Sequence, residues 1–208
     1  MSESPYTVSD VMTHTVVAVG SEASFKEIVE LLDQWKVSAL PVLAGEGRVI
    51  GVVSEADLLP KEQFRDGNEA ESDFGERLKA SALTAGELMS TPAVTVHANA
   101  SLAEAARIMA RRRVKRLPVV DGVGMLEGIV SRSDLLKVFL RTDTEIADEI
   151  RSSVLTHLPV TTALGVSVTE GVVTLTGSMP ERGLVPVVAR ALRAVEGVVD
   201  VQVDLTHR

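Results

Sequence analysis

The chain is written twice over part of its length. Leu40 to Leu59 reads LPVLAGEGRVIGVVSEADLL, and Leu117 to Leu136 reads LPVVDGVGMLEGIVSRSDLL. Leu40 and Leu117, Ser54 and Ser131, and Asp57 and Asp134 are each 77 residues apart. The same offset relates Met12 to Met89, Val17 to Val94 and Ser24 to Ser101. Residues 10–59 laid on 87–136 without a gap share eighteen identities in fifty positions. An ungapped register of that length constrains the fold more than any single motif, because it requires one structural unit to be built twice.

Within the first copy, residues 1–9 read as a polar, extended lead-in, and Asp10 to Thr13 as one helical turn. Val16 to Val19 reads as a short strand. Ser24 with Glu27 forms a capping box, in which hydroxyl and carboxylate each satisfy a backbone N–H of the first helical turn. The helix it opens presents Phe25, Ile28, Val29 and Leu32 as its buried face, with Trp35 placed to cover the core at its end. Val37 to Leu43 reads as a strand. Pro41 lacks an N–H, which puts that part of it at an edge or opening of the sheet. Gly45-Glu46-Gly47 turns the chain into Val49 to Val53, an apolar run suited to a strand buried on both faces. Ser54 to Asp57 opens a second helix. The order is β-α-β-β-α.

The second copy repeats the order, with Ser101 and Glu104 as the capping box and Leu102, Ala105, Ala106 and Met109 as the buried face. The connecting segment has mixed charges, with a helical piece at Phe74 to Ala80, and Thr84 caps the turn carrying Leu88 and Met89. The copies differ in charge: residues 10–59 carry three basic and eight acidic residues, residues 87–136 seven and five. The difference concentrates where Arg111-Arg112-Arg113-Val114-Lys115-Arg116 replaces Gln34-Trp35-Lys36-Val37-Ser38-Ala39.

Leu-Pro-Val in each strand and Gly-x-x-Ser-x-x-Asp-Leu at each second helix (Gly51 to Leu58, Gly128 to Leu135) make the tandem unit resemble a pair of cystathionine β-synthase (CBS) domains. The resemblance covers roughly residues 5–140. It implies a first domain at 5–63, a linker at 64–83 and a second domain at 84–140, packed about a pseudo-two-fold axis. It also implies clefts that bind adenosine-containing ligands, and a disc-shaped homodimer of two such pairs.

Ser54 with Asp57, and Ser131 with Asp134, have two readings. Ser-x-x-Asp before an apolar helix is a capping signature, which alone could account for both. The same geometry offers a helix N-terminus and a hydroxyl to phosphate, and a carboxylate to a ribose diol. The resemblance implies the ribose contact for Asp134, with Ser131 near phosphate. Arg111 to Arg113 suit a solvated cluster at a helix C-terminus. Lys115 and Arg116 lie beyond the helix on the strand bordering the cleft, and the resemblance implies phosphate binding there. Ser38 and Ala39 stand at those positions in the first copy, so the two sites are expected to be unequal. Which cleft Lys115 and Arg116 face is left open by the sequence. Val17 and Val94 are candidates for the adenine slot. The flanking Ala39, Leu40, Pro41, Leu117, Pro118 and Arg132 complete the candidate nucleotide site.

Residues 141–208 change in character. Thr144 to Leu155 reads as a helix with Ile146, Ile150 and Val154 inward. Val166 to Val168 and Val172 to Gly177 form a hairpin about Glu170-Gly171. Pro186 starts a helix running to about Val195, Gly197 stops it, and Val198 to Leu205 alternates as a last strand. The motifs Val-x-Val-x-x-Gly-x-Val-x-Leu-x-Gly (Val166 to Gly177) and Gly-Val-x-x-Val (Gly197 to Val201) resemble a BON domain over roughly 143–206, a module described as phospholipid-binding. No helix here pairs a Lys/Arg-rich face with an exposed apolar one, which speaks against membrane contact.

The fold class expected is therefore mixed α/β (α+β), two β-α-β-β-α units followed by an α-β-β-α-β domain. The 208 residues hold no cysteine, which excludes disulfides and thiolate metal sites. The net charge of −8 and 3% aromatics exclude general nucleic-acid binding. No signal peptide or membrane-length apolar run is present, so a cytoplasmic location is expected. His14, His97, His157 and His207 form no ligand spacing, and no nucleophile–base motif or P-loop appears. No cofactor is implied, and an enzyme is not expected. The leading expectation is a regulatory protein whose CBS pair binds an adenine nucleotide and relays its state to the BON domain or to an unknown protein partner. A dimerisation scaffold without ligand, and a phospholipid-associated adaptor, are the alternatives.

Overall fold

The computed structural model describes residues 6–63, 74–157, 164–179 and 181–206, which fall into two units. One comprises residues 12–131; the other comprises the described residues before Met12 and from Arg132 onward.

In the first unit, strand β1 (Val19–Gly20), helix α2 (Phe25–Trp35; α1, Val8–Val11, lies in the other unit), strands β2 (Ala39–Ala44) and β3 (Arg48–Ser54) and helix α3 (Glu55–Gln63) build the first copy. The sheet order is β1-β2-β3, with β1 parallel and β3 antiparallel to β2, in the register Val19↔Val42 and Val42↔Gly51. Helices α4 (Phe74–Ser81) and α5 (Ala85–Leu88) lead into the second copy, made of α6 (Leu102–Arg112), β4 (Arg116–Val120) and β5 (Leu126–Ser131). Strands β4 and β5 are antiparallel in the register Arg116↔Ser131 and Val119↔Gly128. Both hairpins bulge at the same place, after Val42 and after Val119.

The leading strand is shorter than Val16 to Val19 suggested, and in the second copy it shrinks to a single parallel bridge, Val96↔Val119. Proline is the reason. Val96 N donates to Pro118 O at 3.1 Å and Val120 N to Val96 O at 2.9 Å. One step back the ladder needs an N–H from residue 118, which proline lacks. Pro41 stops the first copy at the matching register, so both prolines open the sheet at this point, as expected of Pro41.

The two copies also exchange their opening turns. Thr13 is paired with Ile129 on β5 through backbone bonds of 2.9 and 3.0 Å, and Ser90 with Val52 on β3 through bonds of 2.9 and 3.2 Å. Each lead-in thus closes the sheet of the opposite copy. The motif glycines make room for it: a Cβ on Gly51 would sit 2.4 Å from Met89 Sδ, and one on Gly128 2.7 Å from Met12 Sδ.

Helix α2 opens with the expected box, Ser24 Oγ accepting from Glu27 N at 3.3 Å and Glu27 Oε2 from Ser24 N at 3.4 Å. At α6, Ser101 Oγ accepts from Glu104 N at 3.2 Å. The buried stripe is narrower than expected. Ile28 and Leu32 enter a core with Leu40, Val42, Val53 and Leu88, Phe25 packs at its margin, and Val29 is exposed. In α6, Leu102, Ala105 and Met109 are buried and Ala106 is exposed. Trp35 is 54% exposed. Lys36 takes the left-handed conformation (φ 51°) and turns the chain so that Val37 N reaches Leu32 O, and Val37 rather than Trp35 covers the core.

The other unit contains α1, α7 (Arg132–Leu136), a 3-10 turn at Lys137–Leu140 and α8 (Asp143–Glu149), which widens into a π turn at Ile150–Val154. Strands β6 (Leu164–Thr169) and β7 (Val172–Ser178), helix α9 (Val185–Arg193) and strand β8 (Asp200–Thr206) follow. β7 is central, antiparallel to β6 and parallel to β8. Ile146 and Ile150 are buried with Val173, Leu175, Val188, Leu192 and Val201, while Val154 packs at the margin. α1 starts two residues earlier than the turn placed at 10–13, because Asp10 Oδ2 accepts from Thr7 N at 2.6 Å and Thr7 Oγ1 at 2.8 Å. Residues 8 and 9 are thus helical rather than extended, while residues 1–5 and 64–73 lie outside the described residues.

Candidate functional site

One cleft of about 240 Å³ brings the two copies together within residues 12–131. On one side are Ser38 and Ala39 at the start of β2 and the β3–α3 turn, Ser54 to Asp57; on the other are Arg113, Val114 and Lys115 between α6 and β4, and Arg116 at the start of β4. Lys115 and Arg116 therefore face the acid of the first copy, the point the sequence left open. Arg116 Nη2 donates to Ser38 Oγ at 2.7 Å across the cleft.

The β3–α3 turn is built by Asp57, the one buried charged residue among those described. Its Oδ2 accepts from Ser54 N at 2.8 Å and from Ser54 Oγ at 2.7 Å. Half of the capping reading is realised here: the carboxylate takes the Ser54 N–H, while the Ser54 hydroxyl donates to the carboxylate. The same bonds fix the carboxylate at the cleft wall, with Oδ1 receiving Lys79 Nζ from α4 and Ser90 Oγ at 3.5 Å. On α5, Glu87 accepts from Leu83 N at 2.7 Å and Thr84 N at 3.1 Å, and these backbone donors, Leu83 first, hold its carboxyl below the usual carboxylate range.

The remaining candidates divide. Leu40 and Leu117 are fully buried, and Pro41 and Pro118 are buried beside them, so these four shape the strands rather than the cleft wall. Val17 is half-buried against the first core, and Val94 is half-buried in the lead-in of the second copy. Ser131 ends β5 opposite Arg116. In the other unit, Arg132 is exposed at the start of α7, and Asp134, with a side chain 13% exposed, pairs with Lys137 at 2.7 Å.

Four cleft neighbours went unread. Ser38 and Ser90 carry no signal beyond being serines. Arg113 looked like part of a solvated cluster. It is the left-handed residue (φ 56°) that ends α6, at the same offset as Lys36, and that shared helix stop was the available signal. Lys79 lies in a segment with no periodicity.

Among the described residues no group of His, Asp and Glu is placed to hold a metal, and no helix is long and apolar enough to cross a membrane.

Family models for the CBS domain match residues 8–61 and 85–141, and the model for the BON domain matches residues 142–208. The chain belongs to the CBS domain family, as a tandem pair followed by a BON domain. It is 32% identical over 157 residues to the chloroplastic CBS domain-containing protein CBSX2 of Arabidopsis thaliana, covering 67% of this chain and 66% of that one. To the CBS domain-containing protein YhcV of Bacillus subtilis it is 30% identical over 153 residues, 73% of this chain and 94% of that one. Among solved structures, CBSX2 in complex with AMP matches with a TM-score of 0.58 at 31% identity, over 65% of this chain and 97% of that one. The CBS pair of protein MJ0100, in complex with 5′-methylthioadenosine and S-adenosyl-L-methionine, matches with a TM-score of 0.54 at 20% identity, over 64% of this chain and 95% of that one. At that identity it attests the fold alone.

Proposed function

We propose that this protein is a regulatory sensor whose CBS pair binds an adenine nucleotide in the Ser54–Asp57 cleft. The observation that carries this reading is the pairing, in one cleft, of three second-copy cations with a first-copy hydroxyl and carboxylate. Arg113, Lys115 and Arg116 suit phosphate, with Arg able to grip it through two parallel bonds. Ser54 Oγ sits beside them, and Asp57 is placed to accept from the ribose diol. The AMP held by CBSX2, a relative of similar length of match, supports the same ligand class.

Relay to the BON domain has its own support. Helix α7, which carries Asp134, belongs to the same unit as residues 142–206. Past its end, Val138 O lies where a Cβ on Gly197 would stand, 2.9 Å away, and Arg141 donates to Glu196 O at 2.7 Å and pairs with Glu149 at 2.7 Å. A nucleotide that favours one arrangement of the CBS pair does work only through its differential affinity for that arrangement, and α7 is the element through which the BON domain would feel it. Homodimerisation and a regulated protein partner complete the proposed role.

The test is isothermal titration of AMP, ADP, ATP and S-adenosylmethionine into the full chain and into Lys115→Ala/Arg116→Ala. Each charge-assisted hydrogen bond is worth about 1.5–3 kcal/mol, so the double variant should bind the preferred ligand at least ~10-fold more weakly. Absence of binding by all four ligands both to the parent chain and to Lys79→Met, in which the Lys79 contact to Asp57 is removed, would sink the sensor and leave the ligand-free scaffold.

A further inference from the structure

We infer that Lys79 is an internal competitor for the nucleotide, holding the ribose-accepting carboxylate of the cleft until the ligand displaces it; this rests on the reading of the cleft given above.

Asp57 is 7% exposed, and its acceptor sites are taken. A carboxylate offers about four lone-pair directions. Oδ2 uses two on Ser54 N and Ser54 Oγ, and Oδ1 holds Lys79 Nζ with Ser90 Oγ at 3.5 Å. A ribose diol needs two acceptor directions: the Ser90 Oγ contact, at 3.5 Å, is long enough to yield one, and one of the three close donors must leave to free the other. Ser54 is three residues from Asp57 and its N–H is part of the turn. Ser90 keeps its place through its backbone pair with Val52, and only its hydroxyl, already at 3.5 Å, can rotate off Oδ1. Lys79 comes from a separate helix, α4, twenty-two residues along the chain, on a flexible four-carbon stem with a side chain 27% exposed. It is the donor that can go.

The exchange is chemically balanced. The two diol hydroxyls replace the ammonium and the long Ser90 Oγ contact on Oδ1, so the buried carboxylate stays hydrogen-bonded, while Arg113, Lys115 and Arg116 take the phosphate. The last turn of α4 stays tethered after Lys79 lets go, because Lys61 Nζ of α3 also donates to Ala82 O at 2.6 Å. Only the fraction of molecules with Lys79 released is competent, and the apparent affinity falls by that fraction. Lys79 thereby sets the concentration at which the cleft fills.

AMP and ATP are each titrated into the full chain, Lys79→Met, Lys79→Arg and Asp57→Asn, and amide exchange of residues 74–81 is followed with and without nucleotide. A latch closed nine-tenths of the time predicts about tenfold tighter binding to Lys79→Met. Lys79→Arg, with its forked grip on the carboxylate, should bind more weakly than the parent, and nucleotide should speed exchange in 74–81 of the parent. Binding confined to Lys79→Met would mean a latch fully closed in the parent, and would support the inference. Equal or weaker binding to Lys79→Met beside a parent that binds would overturn the latch and leave the nucleotide site standing. No binding to any of the four proteins would overturn both.

Discussion

Gly51→Ala tests the exchanged lead-in directly. The added methyl would lie 2.4 Å from Met89 Sδ, 2.8 Å from its Cγ and 3.0 Å from its Cβ, where carbon contacts are comfortable only near 3.5–4.0 Å. Met89 has little room to retreat, because Met89 N is bonded to Ala85 O at 2.8 Å and the next residue, Ser90, is bonded twice to Val52. Overpacking of this kind costs about 1–3 kcal/mol, and the stiffer unfolded chain returns about 0.4–1 kcal/mol. The expected net loss is about 1–2 kcal/mol. Trimming the clash with Met89→Ala should rescue it, so the double variant should fall short of the sum of the singles by about 1 kcal/mol or more. Urea unfolding followed by the fluorescence of Trp35, the chain's one tryptophan and part of the same unit, reads this out. At a slope near 2 kcal/mol per molar urea, the single variant's midpoint should drop by roughly 0.5–1 M. Gly128→Ala is the internal control. There the methyl also meets Thr13 O at 3.0 Å, a backbone atom held by its bonds to Ile129, so Met12→Ala should rescue much less. Additivity at Gly51/Met89 within ~0.5 kcal/mol would refute the packing account.

Arg141→Ala should lower the melting temperature of the unit containing residues 142–206, with a loss of about 2–3 kcal/mol, because it leaves Glu149 without its 2.7 Å partner and frees Glu196 O; calorimetry would reveal an unchanged transition if the contact is idle. Glu145 provides a pH test. Thr142 N and then Thr142 Oγ1, both at 2.9 Å, hold its carboxyl below the ordinary value of 4.5. A depressed folded-state value means that its stabilisation is complete above the unfolded value and is lost as pH falls through the folded one. Glu145→Gln should therefore flatten the acid limb of stability against pH, and a slope identical to the parent's would count against the cap.

Much of the fold could be read because it rests on local chemistry. Ser24 with Glu27 and the Glu170-Gly171 turn act within a few residues of themselves, whereas α9 ends at Arg193, short of the stop expected at Gly197. Pro41 and Pro118 announced an opening in the sheet, though not that missing N–H groups would cut the leading strand to two residues or to one bridge. The lining of the candidate cleft was legible in part, Ser54 with Asp57 through the repeat and Lys115 with Arg116 where the two copies diverge. It failed where the chain brings distant segments together. Lys79 reaches Asp57 from a helix with no pattern of its own, and Arg113 turns into the cleft because a left-handed residue ends α6. Val29, Trp35 and Ala106 were misplaced for a related cause. Helical spacing identifies an apolar stripe but not its width, which is set by whatever packs against it.

The exchanged lead-ins also decide how the duplicated part comes apart. Thr13 cannot leave Ile129 without stripping the outer edge of β5 in the second copy, and Ser90 cannot leave Val52 without stripping that of β3 in the first. Neither copy has a complete sheet when the other is lost. Two domains on paper then amount to a single calorimetric species: residues 12–131 should melt in one cooperative step, with a van't Hoff enthalpy that matches the calorimetric one, although their sequence counts the same fold twice.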